Sequence, residues 1–292
     1  MYDSWGGNID ISSRFITLIG TPLSQSYAAQ MQNRAYRDMG LNIRYFYTET
    51  GSEHLQEIIN GIRYMPSFIG CAVTKPNKVR VMEYLDEVDV LCERIGACNT
   101  VVKLPDGCLK GYNTDAMGFL QAMKQEAGIS AEGMKVFCFG AGGASRAICM
   151  ALAYYGAAKI GLTDVYEPSA IELADRINCY YPGTSEYTAF GACTSLDEYD
   201  MIINATGVGM GKTIGQSPMA EKMILPDAVY FDACYNPVRT QFLLNAEAKG
   251  FKTYNGLMMS LYQGVEQIRL WTGKEPPVEV MRETIFAQQI GV

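Results

Sequence analysis

Residues 134–147, MKVFCFGAGGASRA, constrain the fold of this chain more than any other stretch. Lys135 to Phe139 is a short, mostly apolar run that predicts a buried strand. Gly140-Ala141-Gly142-Gly143 follows at once, and a helical pattern runs from about Ala144 to Tyr155. Strand, glycine turn and helix in that order give a glycine-rich loop its meaning. Gly140 permits the tight turn. Gly142 carries no Cβ, so the backbone can approach a pyrophosphate. The first N–H groups of the helix, at the positive end of its dipole, favour phosphate there. Ser145 stands where G-x-G-x-x-G has its third glycine. An ordinary strand-to-helix turn therefore fits the loop as well.

Ala158 to Leu162 predicts a second strand, and Asp164 stands at its end, about 24 residues beyond Gly140. An acidic residue there accepts hydrogen bonds from an adenosine ribose diol and repels a 2′-phosphate. No Arg or Lys lies between Leu162 and Pro168. This favours NAD over NADP. Asp164 also fits as a turn or N-cap residue before a helix from Pro168 to Asn178.

The remaining pattern gives an α/β fold. Strands are expected at Arg14–Gly20, Ile43–Thr48 and Phe68–Val73, with helices at Ser26–Met39 and Glu53–Arg63 between them. Cys98–Lys103 and Cys108–Tyr112 flank Leu104-Pro105-Asp106-Gly107 and predict a hairpin on that first, largely parallel sheet. A helix from about Ala116 to Ala127 leads into the glycine loop. A second series continues with strands at Met201–Ala205, Ala228–Asp232 and Phe251–Tyr254 and a helix near Arg239–Lys249. Two helices, Leu257–Thr272 and Pro277–Gln289, end the chain. Two such series in 292 residues predict two open α/β domains, with a ligand cleft between them.

Composition narrows the class. Net charge is −7, which argues against a nucleic-acid or membrane-surface partner. No apolar run reaches membrane-spanning length, and the N-terminus has no signal-peptide pattern. Nine scattered cysteines without a C-x-x-C pair fit a reducing cytoplasm. His54 is the single histidine, so a structural zinc site is not expected. Any proton transfer needs another residue type.

Three polar clusters fall where strands of the first series end: residues 73–78 (VTKPNK), 96–100 (GACNT) and 111–115 (GYNTD). Ligands of open α/β sheets bind beyond the carboxyl ends of strands. Taken singly, Lys78 fits a surface lysine, Asn99 a turn residue and Asp115 a helix N-cap.

With residues 20–26 (GTPLSQS), 111–119 (GYNTDAMGF), 140–147 (GAGGASRA) and 262–264 (YQG), these clusters make the chain resemble the shikimate dehydrogenase family, including its quinate/shikimate branch. The likeness runs from about Phe15 to Trp271. It implies a substrate-binding domain at 1–115 and 258–292 and a Rossmann-like NAD(P)-binding domain at 116–257, with C-terminal helices returning to the first. It implies Lys78 and Asp115 as the catalytic acid–base pair. It implies Ser26, Thr74, Asn99, Tyr235 and Gln263 as contacts to a cyclic polyol acid. It also implies Thr206, Gly256 and Met259 as cofactor contacts beside Gly140, Ala141, Gly142, Gly143, Ala144 and Asp164. The implied activity is reversible oxidation of a ring hydroxyl on the chorismate route to aromatic amino acids. A homodimer is compatible with this reading.

Two departures stand out. The family places two serines in an H-S-x-S-P segment that binds the substrate carboxylate. Here the segment is Gln25-Ser26-Tyr27-Ala28-Ala29, so Ala28 replaces the second serine. A missing donor to a carboxylate costs about 1.5–3 kcal/mol unless Ser24, Tyr27 or water substitutes. This leaves open the same chemistry on another cyclic polyol; a non-catalytic NAD- or metabolite-binding protein is a separate alternative, against which the presence of both Lys78 and Asp115 argues. The second is Thr163-Asp164, where NADP-using members carry Asn-Arg.

Overall fold

The computed structural model describes residues 9–23, 26–192, 195–219 and 226–290, with side chains in the last stretch described to residue 287. The chain divides into two compact units, Met1–Thr114 with Gln263–Val292, and Asp115–Tyr262.

The first unit contains β1 (Arg14–Gly20), α1 (Ala28–Asp38), β2 (Ile43–Glu49), α2 (Leu55–Arg63), β3 (Phe68–Val73), β4 (Glu87–Val88), α3 (Val90–Ile95), β5 (Thr100–Lys103) and β6 (Leu109–Tyr112). Its sheet runs β2-β1-β3-β5-β6-β4. The first three strands are parallel, the hairpin β5–β6 joins β3 antiparallel, and β4 pairs parallel with β6. β1 is buried along Ile16–Gly20 whichever way a side chain faces, as expected of a strand covered on both sides. α2 buries Leu55, Ile59 and Ile62, one helical stripe. That stripe meets Ile19, Phe68, Val73, Val101 and Leu109 in one core.

β2 is an edge strand, and its free side is covered. The Asn33 carboxamide donates to the Tyr45 carbonyl at 2.9 Å and accepts from the Tyr45 N–H at 2.8 Å. The Arg44 guanidinium donates to the Ile43 carbonyl at 3.0 Å. Two C-terminal helices follow, α8 (Gly256–Thr272) and α9 (Val278–Ile290), and α9 packs on α1. Trp271 donates its indole N–H to the Val101 carbonyl at 2.9 Å.

The second unit holds α4 (Thr114–Ala122), β7 (Lys135–Phe139), α5 (Gly143–Tyr154), β8 (Lys159–Thr163), α6 (Glu167–Tyr180), β9 (Ser185–Tyr187), β10 (Met201–Asn204), β11 (Val229–Asp232), α7 (Gln241–Glu247) and β12 (Thr253–Asn255). The division between the units falls at the start of α4 and inside α8. The sheet order is β12-β11-β10-β7-β8-β9, with every pair parallel. This is the doubly wound dinucleotide-binding order, reversing direction between β7 and β10.

The structure differs from the sequence expectation in places. The helix expected at 116–127 is α-helical only to Ala122; a π-helical turn, Met123–Ala127, follows and ends at Gly128 in the left-handed region. Asp115 is not an N-cap but lies in the first turn of α4. β4, α3, β9 and a 3-10 turn at Arg80–Tyr84 are additional elements. No helix among the described residues is long and apolar enough to cross a membrane.

Candidate active site

In the first unit the polar clusters converge at the carboxyl ends of β1 and β3. The Thr74 N–H donates to the Ile19 carbonyl at 2.9 Å, and the Thr21 N–H donates to the Lys75 carbonyl at 3.0 Å. The Val73 N–H reaches the Asn99 carbonyl at 2.8 Å, and the Cys98 N–H reaches the Lys78 carbonyl at 2.7 Å. Asn77, fully buried, donates to the Thr50 carbonyl at 3.1 Å and accepts from the Ser52 hydroxyl at 3.0 Å. Thr74, Lys78 and Asn99 therefore sit on loops bonded directly to one another. Lys78 and Thr74 are half-buried.

Asn99 is 1% exposed. Its Oδ1 accepts from the Thr114 N–H at 2.7 Å and from the hydroxyls of Thr100 at 2.9 Å and Thr114 at 3.1 Å. Its Nδ2 is buried and has no hydrogen-bond partner among the described residues. A buried donor left unmatched costs about 1–3 kcal/mol. An acceptor brought by a ligand removes that cost. Behind it, Gln267 of α8 donates to the Thr100 hydroxyl at 3.0 Å and accepts from Gln32 at 3.1 Å. These amides and hydroxyls hold the Asn99 side chain in one orientation.

Ser26 lies on the turn before α1. Its Oγ accepts from the Ala28 N–H at 3.3 Å, and its carbonyl accepts from the Tyr47 hydroxyl at 2.7 Å. Ser24 and Gln25 lie outside the described residues. Gln263, half-buried on α8, belongs to the first unit; Asp115, 6% exposed, belongs to the second, as does the half-buried Tyr235 that follows β11.

In the second unit the glycine loop follows β7, the strand at the sheet's point of reversal. Gly140 has φ +103°, and a Cβ there would stand 2.9 Å from the Ala205 carbonyl group. Only glycine fits this conformation and approach. At Gly142 and Gly143 a Cβ would meet nothing within 4 Å, and both residues are exposed. Gly142 stands at the N-cap of α5, and no side-chain cap is made there among the described residues. Its first N–H groups and the bare glycine backbone form a cradle that fits a pyrophosphate. Ser145, in place of the third glycine, is buried between Cys138 (3.2 Å) and Cys149 (3.6 Å). Its small side chain lets α5 pack closely on β7.

Asp164 ends β8. One carboxylate oxygen accepts from the Ala141 N–H at 2.7 Å, and the other accepts from the Tyr166 N–H at 2.8 Å. The turn role is therefore present, and the same side chain tethers the glycine loop. Thr206 is exposed on the loop after β10, and its N–H and hydroxyl both donate to Asn204 Oδ1, at 3.1 and 2.7 Å. Gly256 begins α8, where a Cβ would fall 2.1 Å from the Ala233 carbonyl oxygen. Met259 is buried one turn on.

The sequence reading missed Asn204 and Asp232, register partners at the ends of β10 and β11. Their signal was a polar residue closing each buried run, MIIN and VYFD. Burial pushes the Asp232 carboxyl up, against hydrogen bonds from Thr240, Cys234 and Asn204 that pull it down. Among the described residues no group of three or more His, Cys, Asp or Glu could hold a metal ion.

A parallel sheet in this order, with a glycine cradle after β7 and an acidic residue after β8, defines an NAD(P)-binding α/β protein. Comparison with known proteins narrows the class. Residues 18–101 match the shikimate dehydrogenase substrate-binding domain, and residues 256–286 match the shikimate 5'-dehydrogenase C-terminal domain. A shikimate dehydrogenase (NADP(+)) of Methanocaldococcus jannaschii is 37% identical over 282 residues, covering 95% of this chain and 98% of its own. Shikimate 5-dehydrogenase of Listeria monocytogenes, solved with shikimate and NAD, superposes with TM-score 0.89 at 33% identity, covering 96% of this chain and 99% of its own. The 5-ketofructose reductase of Gluconobacter superposes with TM-score 0.88 at 32% identity, covering 96% and 100%. The chain belongs to the shikimate dehydrogenase family of oxidoreductases.

Proposed function

We propose that this protein is an NAD-dependent dehydrogenase that reversibly oxidises one ring hydroxyl of shikimate or quinate to the 3-dehydro ketone. The observation that supports it most is Asn99. Its buried, unpartnered Nδ2 donor sits on a loop bonded to the loop of Lys78, at the carboxyl end of the first sheet. A ring hydroxyl supplies the acceptor that this donor lacks.

Oxidation removes a hydride from the carbon and a proton from the hydroxyl. Bound NAD supplies the hydride acceptor. Lys78 and Asp115 are the acid–base pair, the Lys78 amine taking the proton in oxidation and returning it in reduction. Ser26, Thr74, Gln263 and Tyr235 hold the remaining hydroxyls and the carboxylate. The Gly140–Ala144 cradle takes the pyrophosphate, and Asp164 accepts from the adenosine ribose. Gly256 and Met259 line the nicotinamide side, and Thr206 lies on the loop under the cofactor. The carboxylate of Asp164, with no neighbouring cation between Leu162 and Pro168, supports NAD over NADP.

The test is initial-rate oxidation of shikimate and of quinate, each with NAD and with NADP. Turnover of either acid with NAD is the expected result. NADH binding without turnover of either acid refutes the substrate assignment. A second reading then applies: the same chemistry on a polyol or keto sugar without a carboxylate. Ala28 at the second serine position and the likeness to a 5-ketofructose reductase favour that reading.

A further inference from the structure

Asp232 closes β11 and is fully buried. Oδ1 accepts from Asn204 Nδ2 at 3.0 Å and from the Cys234 N–H at 2.9 Å, and Oδ2 accepts from the Thr240 hydroxyl at 2.5 Å. Each donor leads to a different segment. Asn204 Nδ2 also donates to the Val208 carbonyl at 2.9 Å, while its Oδ1 holds Thr206. That side chain thereby shapes the loop after β10, whose Ala205 backbone lies against Gly140. Cys234 begins the loop that carries Tyr235. Thr240 caps α7, its hydroxyl oxygen accepting from the Leu243 N–H at 3.4 Å, and its Cβ lies 3.2 Å from the Cβ position of Gly209. Next to Asp232, the Ala233 carbonyl lies against Gly256 at the start of α8.

We infer that Asp232 is a positioning residue, whose one carboxylate sets the loop after β10, the Tyr235 loop and the start of α8 together. The inference rests on the dinucleotide reading above. No hydrogen bond joins Asp232 to the glycine cradle or to Asp164, and its one link to the cradle is indirect, through Asn204 to the Ala205 backbone that lies against Gly140. Its loss therefore loosens the nicotinamide half of the site far more than the adenosine half. Asn204 uses all four of its hydrogen-bonding positions, so the network has no spare partner to take over.

The experiment compares binding of NADH with binding of ADP, which lacks the nicotinamide half, in purified wild type and variants. Asp232→Ala is expected to raise the Kd for NADH about tenfold or more and to leave the Kd for ADP within about twofold. Thr240→Val, which removes one of the three bonds, falls between, and Thr240→Ser restores wild-type binding. Where Asp232→Ala does not fold, Asp232→Asn serves: its carbonyl keeps Asn204 and Cys234, its amide confronts the Thr240 hydroxyl, and the NADH Kd rises about threefold. Equal weakening of both ligands marks Asp232 as merely structural and overturns the inference. Unchanged NADH binding in a folded variant overturns it too. Wild type that binds neither ligand overturns the dinucleotide reading itself, and the inference with it.

Discussion

Replacing Asp164 with Asn tests the cofactor assignment with almost no change in shape. The carboxylate accepts from the Ala141 N–H through one oxygen and from the Tyr166 N–H through the other. Asn keeps one carbonyl oxygen, so one amide loses its acceptor. At this half-buried position the loss costs about 1 kcal/mol. Charge has the larger effect. A 2′-phosphate about 6 Å from the carboxylate meets a repulsion of about 0.7–2.8 kcal/mol per unit charge, for effective dielectric constants of about 80 to 20. Removing it improves use of NADP by about 3- to 100-fold, while NAD loses a ribose acceptor. The ratio of kcat/KM for NAD to that for NADP is expected to fall by at least about threefold. Initial rates with both cofactors measure the ratio, and fluorescence titration with NADH and NADPH gives the affinities. If both affinities weaken by the same factor and the ratio stays put, Asp164 only tethers the glycine loop.

Lys78→Ala is expected to cut turnover by about 10²–10⁴-fold with the NADH Kd unchanged, because it removes proton transfer and not binding. Stopped-flow rates with parallel NADH titration check this. Gly140→Ala forces a Cβ to 2.9 Å from the Ala205 carbonyl group at φ +103°. It is expected to lower stability by about 1–3 kcal/mol and to weaken NADH, read by denaturant unfolding and titration. The Asp86 carboxyl is held below its ordinary range by the Leu109 N–H, at 2.7 Å, and by the Arg63 guanidinium. A depressed carboxyl stabilises the fold above its unfolded pKa of about 4 and loses that contribution as pH falls through the folded value. Asp86→Asn should therefore be less stable than wild type at pH 7, with the gap closing toward pH 2 in pH-dependent melts.

Long buried strands and the glycine loop were legible because their signals are local. β7 and α5 announce themselves as an apolar run, glycines and a helical stripe within one short segment. Short elements carry no such period. α3 has six residues and is defined by its ends, where Asp89 accepts from the Leu91 N–H at 2.9 Å and Gly96 turns left-handed at φ 73°. β4 has two residues and exists only through its pairing with β6. The site polarity was partly legible. Lys78, Asn99 and Asp115 stood out as clusters, yet two of the three bonds to Asn99 Oδ1 come from Thr114, 15 residues away. Asp232 and Asn204 are 28 residues apart, and no pattern in either segment names the other. Such long-range polar pairs are set by strand register, which the sequence does not display.

The amide of Asn33 gives the β2 edge a consequence beyond this one fold. By meeting both backbone polar groups of Tyr45, a single side chain imitates the neighbouring strand that an open edge invites. A foreign strand must evict it before zipping on, and so gains nothing from the first pairing step. At the opposite edge, two-residue β4 is too brief a template for extended pairing. The first sheet thus carries its own stopper against fibre-like growth, made from one half-buried asparagine.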